Sequence, residues 1–208
     1  MNIDSIEKND IANYSFLTRA ITKQGYCLID NFLSSENYQQ LMTECTAAEI
    51  HGAFNKAKIG NNSTARVNQS IRRDAIAWLN EDTAGNQAFF AAIELVRKAL
   101  NQDLYLGLVE FESHYALYQP GDFYKKHIDQ FKNEKTRRIS CVYYLNHHWQ
   151  PGDGGELTLY SEENIEIVTL PPLGNRLICF CSELPHEVHI THKKRYSIAG
   201  WLRTRPYR

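Results

Sequence analysis

No long hydrophobic run occurs in this chain of 208 residues, and no stretch approaches the roughly 20 apolar residues that cross a bilayer as a helix. A membrane partner is therefore not expected. The segment Met1 to Glu7 lacks a basic region followed by an apolar one, so no secretory leader is expected either. Cysteine is sparse. The five residues (Cys27, Cys45, Cys141, Cys179, Cys181) include no Cys-x-x-Cys pair and read as reduced, mostly buried thiols of a cytoplasmic protein. An excess of one charge is also missing. Lys and Arg number 23 against 24 Asp and Glu, a formal net charge of -1, so no overall field favours nucleic acid. Arg203, Arg205 and Arg208 form a small basic tail that is expected to be solvated. Repeats, low-complexity tracts and proline-rich linkers are absent. With 43% hydrophobic residues the chain reads as one domain over 1–208, large enough to bury a substantial core, and as a monomer.

What is present divides near residue 103. Before it, apolar positions at Ile11, Tyr14, Leu17 and Ile21 predict a helix stopped by Gly25. Tyr26 to Leu33 reads as a strand, and Ser34 or Ser35 is placed to cap a second helix running to about Glu49. Residues 51–70 hold Gly52, Gly60, Asn61, Asn62, Ser63 and Thr64 with few apolar anchors, which is long for a plain connection. Order returns over Ile71 to Leu79. Thr83 is placed to cap a third helix with a face of Phe89, Ala92, Ile93, Val96 and Leu100. From about residue 104 to 203 the chain reads as eight short strands separated by Pro, Gly and Asp turns, which predicts a jelly roll or barrel.

Within those strands stands His127-Ile128-Asp129, followed far downstream by His186 and then Arg195. Residues i and i+2 of a strand point the same way, so His127 and Asp129 can reach one ion if Tyr124 to Asp129 is extended. Two imidazoles and one carboxylate, with open positions opposite, form the ligand set of non-haem Fe(II) oxygenases. The second imidazole has three candidates. His186 shares strand parity with Val188 and Ile190, whereas His189 shares it with Glu187 and Thr191. The first set suits an inward face, so His186 is favoured and His189 and His192 are expected on the polar surface.

The surrounding residues resemble a known family. Tyr118-Gln119-Pro120-Gly121, Tyr124 to Asp129, Cys141 to Asn146, Trp149, Gly154-Gly155-Glu156-Leu157, Pro185-His186-Glu187-Val188 and Arg195-Tyr196-Ser197-Ile198 are similar to the core of the prolyl hydroxylases of the hypoxia-inducible-factor type, here as a stand-alone bacterial-type member. Ile71 to Leu79 resembles the segment after that family's substrate loop. The resemblance implies a double-stranded β-helix with the N-terminal helices packed outside one sheet. It implies Fe(II) on His127, Asp129 and His186, with 2-oxoglutarate and O2 as cosubstrates and ascorbate as a supporting reductant. It implies that Arg195 grips the far carboxylate of 2-oxoglutarate through its planar fork, that Tyr144 adds a hydroxyl, and that Tyr118 brings a hydroxyl to the site. Tyr143 has the parity of Ile139, Cys141 and Leu145 and is expected in the core. Family members often carry a Thr four positions after the Arg, where this chain has Ala199; Trp201 is expected to wall the pocket.

The implied reaction is hydroxylation of a prolyl residue at ring carbon four within a protein, with release of succinate and CO2. Residues 52–70 would close over the peptide, with Arg66, Arg72, Arg73 and Asp74 either contacting it or solvated. Elongation factor Tu is a candidate partner. Two readings compete: an oxygenase acting on a small molecule or nucleic acid, and a non-catalytic jelly-roll binding module. Loss of a ligand or of Arg195 would mark the module, and neither is lost.

Overall fold

The first helix ends where its glycine stands. The computed structural model of the chain describes residues 14–57, 66–130 and 135–205. Helix α1 (Ser15–Gln24) stops at Gly25, whose φ of 79° is left-handed and whose N–H returns to the Ile21 carbonyl. The expected helical turns before residue 14 lie outside the described residues. Strand β1 (Tyr26–Asp30) follows, and Ser34 caps α2 (Ser35–Ile50) by accepting from the Asn37 N–H.

Helix α3 (Ala84–Leu104) buries Phe89, Ile93, Val96 and Leu100, as the spacing predicts, but its start differs from expectation. Thr83 holds the N-cap position and makes no cap bond. Glu44 of α2 takes that role. Its carboxylate accepts from the N–H groups of Gly85 (2.8 Å) and Asn86 (3.1 Å) and from the Thr83 hydroxyl (2.6 Å). An anion there satisfies orphan donors and meets the positive end of the helix dipole. Gly85 permits the approach, since a Cβ would lie 2.5 Å from Glu44 Oε2 and 2.8 Å from Leu41 Cα. Burial raises the Glu44 pKa, but the hydrogen bonds outweigh it and hold the carboxyl below its ordinary value. The contribution is thus fully present above the usual Glu pKa and is lost as pH falls through the lower folded value. Glu44→Ala is expected to cost about 1–2 kcal/mol at neutral pH, and Thr83→Ala less, read as urea midpoints at unchanged slope.

The remaining elements are strands: β2 (Asn55–Lys56), β3 (Ala75–Trp78), β4 (Glu110–Tyr118), β5 (Tyr124–His127), β6 (Arg137–Tyr144), β7 (Leu157–Tyr160), β8 (Glu166–Leu170), β9 (Arg176–Cys181), β10 (His186–Val188) and β11 (Arg195–Arg203). The strand region begins later than expected, because α3 runs through Leu104 and β4 opens only at Glu110. Residues 58–65, the middle of the expected substrate loop, lie outside the described residues. The strands form two antiparallel sheets, β1-β9-β6-β11-β4-β3-β2 and β5-β10-β7-β8. The architecture is a jelly roll, mainly β with three helices among the described residues.

Period-two alternation sorts the large sheet. Cys141, Tyr143, Ile198 and Leu202 face α1 to α3 and join Leu17, Leu41, Phe89 and Ile93 in one core. Ala116, Tyr144, Ile178 and Phe180 face the small sheet and meet Leu157, Leu159 and Val188 in another. The helices therefore pack outside one sheet and the cleft opens between the two. Arg203 is not part of a solvated tail. It lies in β11 and pairs with Glu112 at 2.7 Å and Glu110 at 3.3 Å.

Candidate metal centre and the cleft beside it

Strand β10 lies between β5 and β7 and sets His186 directly opposite His127. That register, not sequence proximity, brings the two imidazoles together. Asp129 departs from the expected geometry. β5 ends at His127, and Asp129 lies in a bend beyond it. Its carboxylate still turns inward, with Oδ1 3.6 Å from His127 Nε2 and Oδ2 3.4 Å from His186 Nε2. Ligand atoms of the three residues lie within 4.8 Å of one another.

Each side chain is held from behind. His127 Nδ1 is 2.8 Å from the Lys125 carbonyl and His186 Nδ1 is 3.0 Å from the Leu184 carbonyl. A carbonyl accepts only, so both Nδ1 atoms carry hydrogen and both Nε2 lone pairs face inward. The His127 ring stacks on Tyr124 at 3.5 Å, and Phe180 meets His186 edge-on at 4.8 Å. The Ser140 hydroxyl donates to Asp129 Oδ2 at 2.7 Å and lies 2.9 Å from the Ser182 hydroxyl.

Burial, and then His127, push the His186 pKa down to about 4 against the pull of Asp129. At neutral pH this imidazole is uncharged, so its approach to Asp129 is not an ion pair. Burial raises the Asp129 pKa, but His186, His127 and Ser140 outweigh it and keep the carboxyl well below its ordinary value. One ionised carboxylate and two inward imidazole nitrogens are a donor set that fits a divalent cation.

The cleft beyond these residues has a volume near 820 Å³. Arg195, 1% exposed, lines it, with its guanidinium 4.8 Å from the Tyr118 ring and 5.0 Å from the Tyr144 ring. Nε donates to the Gly155 carbonyl and NH1 to the Ser197 hydroxyl, both at 3.0 Å. By hydrogen-bond geometry NH2 and the Tyr144 hydroxyl have no partner among the described residues, and they lie close enough for Arg195 to act on the hydroxyl by charge and weak hydrogen bonding. A buried cation whose hydrogen bonds are all to neutral groups is costly unless an anion arrives. A guanidinium and a hydroxyl set side by side, with no strong partner beyond each other, fit the far carboxylate of a dicarboxylic acid.

Four features of this site escaped the sequence. Ser140 steadies Asp129 but is remote in the chain. Ser197 shares strand parity with Arg195 and was findable by that rule. Gly155 has a φ of 68°, and a Cβ there would lie 2.9 Å from Arg195 Cδ. The Arg72–Asp74 pair is bidentate, at 2.7 and 2.5 Å, with the guanidinium 4.4 Å from the Tyr124 ring. Asp74 is 1% exposed, so it is neither solvated nor free for a peptide. Arg66 and Arg73 are exposed, and Arg73 Nε donates to the Gln69 carbonyl. His189 and His192 are exposed, with His189 Nε2 2.7 Å from the Thr158 hydroxyl. Parity breaks down at Ile190, which is 52% exposed because β10 ends at Val188.

Residues 113–203 match the 2OG-Fe(II) oxygenase superfamily. A prolyl-4-hydroxylase from Pseudomonas putida is 35% identical in sequence and superposes with a TM-score of 0.83, covering 91% of this chain and 98% of that one. A prolyl hydroxylase from Trichoplax adhaerens, solved in complex with a hypoxia inducible factor peptide fragment, is 28% identical with a TM-score of 0.80, covering 97% and 93%. Human Egl nine homolog 1 is 27% identical over 198 residues, 89% of this chain, which spans 45% of that protein's length.

Proposed function

Because the chain belongs to the 2OG-Fe(II) oxygenase superfamily, we propose that it hydroxylates a prolyl residue of a protein substrate at ring carbon four, with Fe(II), 2-oxoglutarate and O2. The observation that carries this reading is the buried Arg195, with no hydrogen-bond partner for NH2, in the same cleft as His127, Asp129 and His186. In this reading those three residues hold Fe(II), which together with 2-oxoglutarate and O2 supplies the oxidising chemistry that ends in succinate, CO2 and a hydroxylated proline. The chain's own residues bind and orient. Arg195 NH2 and the Tyr144 hydroxyl donate to the far carboxylate of 2-oxoglutarate. Tyr118 covers the guanidinium. Leu157, Val188, Ala116 and Val142 line the space between and keep water away. Ser140 keeps Asp129 turned inward, and the two backbone carbonyls fix the imidazole tautomers.

Gly155 lets Arg195 lie flat against the backbone. Gly155→Ala is expected to raise the 2-oxoglutarate concentration for half-saturation about tenfold or more, because the added methyl displaces Arg195 and loses a charged hydrogen bond. Steady-state titration of 2-oxoglutarate checks it. At position 199 the alanine adds no polar group to the pocket, and Ser197 already supplies a hydroxyl to Arg195.

A polypeptide substrate is supported by the two prolyl hydroxylase structures, one holding a peptide. A cytoplasmic location is part of this proposal and rests on the sparse cysteines without a Cys-x-x-Cys pair. The test is to add the enzyme with Fe(II) and 2-oxoglutarate to lysate proteins and to purified elongation factor Tu, with His186→Ala as control. A gain of one oxygen on proline, confined to the active enzyme, is the expected result. Hydroxylation of free proline or of nucleic acid, with no protein modified, would overturn the reading.

A further inference from the structure

The face of the large sheet that floors the cleft is a grid. One row runs Trp78 on β3, His114 on β4, Ala199 on β11 and Val142 on β6. The next row includes Trp201 on β11 beside Ser140 on β6, the residue that holds Asp129. His114 is 3% exposed, and its ring lies 5.4 Å from Trp78 and 5.5 Å from Trp201. Neither imidazole nitrogen has a hydrogen-bond partner among the described residues, and neither does the indole Nε1 of Trp201. Burial above all, reinforced by Arg72 and Arg137 against Asp74 and Asp129, pushes the His114 pKa down to about 4. The ring is therefore neutral, with one N–H donor and one acceptor. Trp201 can only donate. Two sealed donors side by side on the wall of a cleft call for an acceptor that arrives with a ligand, since leaving them unmet costs stability.

We infer that His114 reads the substrate backbone, its imidazole N–H and the Trp201 indole N–H donating to a carbonyl that flanks the target prolyl nitrogen. This rests on the prolyl-hydroxylase reading above. The chemistry of proline selects the acceptor. A prolyl residue has no N–H, so the polar backbone groups on either side of its nitrogen are both carbonyls. Free proline lacks the preceding one. Geometry agrees. His114 is two strands from β6, roughly 10 Å at about 4.8 Å per strand. His114, His127, Asp129 and His186 line the same cleft, and Ala199, which lies between His114 and Val142 in the row, keeps that part of the floor low enough for a prolyl ring.

The experiment uses protein loaded with Zn(II), diamagnetic and inert, and 2-oxoglutarate. The probes are two pools of capped pentapeptides, one with proline at the centre and one with alanine. Wild-type protein is expected to retain the proline pool preferentially and to show a moved His114 ring ¹⁵N signal when that pool is added. His114→Met is expected to weaken retention about tenfold, the worth of one or two hydrogen bonds. His114→Gln, which keeps a donor, is expected to recover most of it. Zn(II) and 2-oxoglutarate affinity should be unchanged in both variants. Equal retention by His114→Met, or a ¹⁵N signal that stays still in the wild type while peptide binds, would overturn the inference and leave the prolyl reading standing. The second outcome does not depend on any variant folding. Absence of a proline preference in the wild type would overturn the prolyl reading and this inference with it.

Discussion

His186→Ala is expected to abolish stoichiometric Fe(II) binding under anaerobic titration, and His189→Ala to leave it intact. The two histidines are three residues apart, yet only one has a lone pair in the cage. His186 Nε2 is 3.4 Å from Asp129 and its ring is 4.2 Å from that of His127. His189 is exposed and occupied with Thr158. Removing a group that merely orients a ligand typically costs about 10–100-fold in metal affinity, so removing a ligand itself is expected to cost more. His186→Ala also leaves the Asp129 carboxylate buried with one fewer imidazole beside it. A folded variant should therefore show less stabilisation by added metal than the wild type. Preserved binding in His186→Ala with loss in His189→Ala would reverse the assignment.

Arg195→Lys is expected to weaken 2-oxoglutarate binding about 10- to 150-fold, the equivalent of ~1.5–3 kcal/mol for a charged hydrogen bond. The charge is kept, so the loss isolates the fork. Lysine cannot donate at once to Gly155, to Ser197 and to a carboxylate in the arrangement Arg195 uses, and its ammonium does not lie flat between Tyr118 and Tyr144. Tyr144→Phe removes one neutral donor and is expected to cost on the order of 1 kcal/mol. Fe(II) affinity should be unaffected by either change, because neither residue is in the metal cage. Both constants come from one titration series with metal and then cosubstrate. Unchanged cosubstrate affinity in Arg195→Lys would remove Arg195 from its assigned role.

The strands, and the gathering of His127, Asp129 and His186, were legible because period-two alternation survives in short strands: Arg176–Cys181 and Arg195–Arg203 run as read, and Tyr143 and Tyr144 fall on opposite faces. The reading failed where tertiary contacts replace local chemistry. Glu44, not Thr83, caps α3, since a carboxylate from another helix outcompetes the local hydroxyl. Asp129 approaches His127 and His186 from a bend, so strand parity put it beside them through a geometry that is not there. Arg72 and Asp74 looked like free charges beside a loop, but they are two residues apart and pair bidentately with each other, with Arg72 over the Tyr124 ring. His114 carries no pattern at all. A lone histidine in a strand reads as packing until the absence of partners around it is seen in three dimensions.

The measurement that bears most directly on the whole reading is the fate of isotopic oxygen. With ¹⁸O2, Fe(II), 2-oxoglutarate and a protein found modified in lysate, one labelled atom is expected in succinate and one in a prolyl residue of the protein, in equal amounts. Label in succinate alone, with no prolyl residue gaining mass across the protein fraction, would contradict the assignment of this chain as a prolyl hydroxylase of proteins.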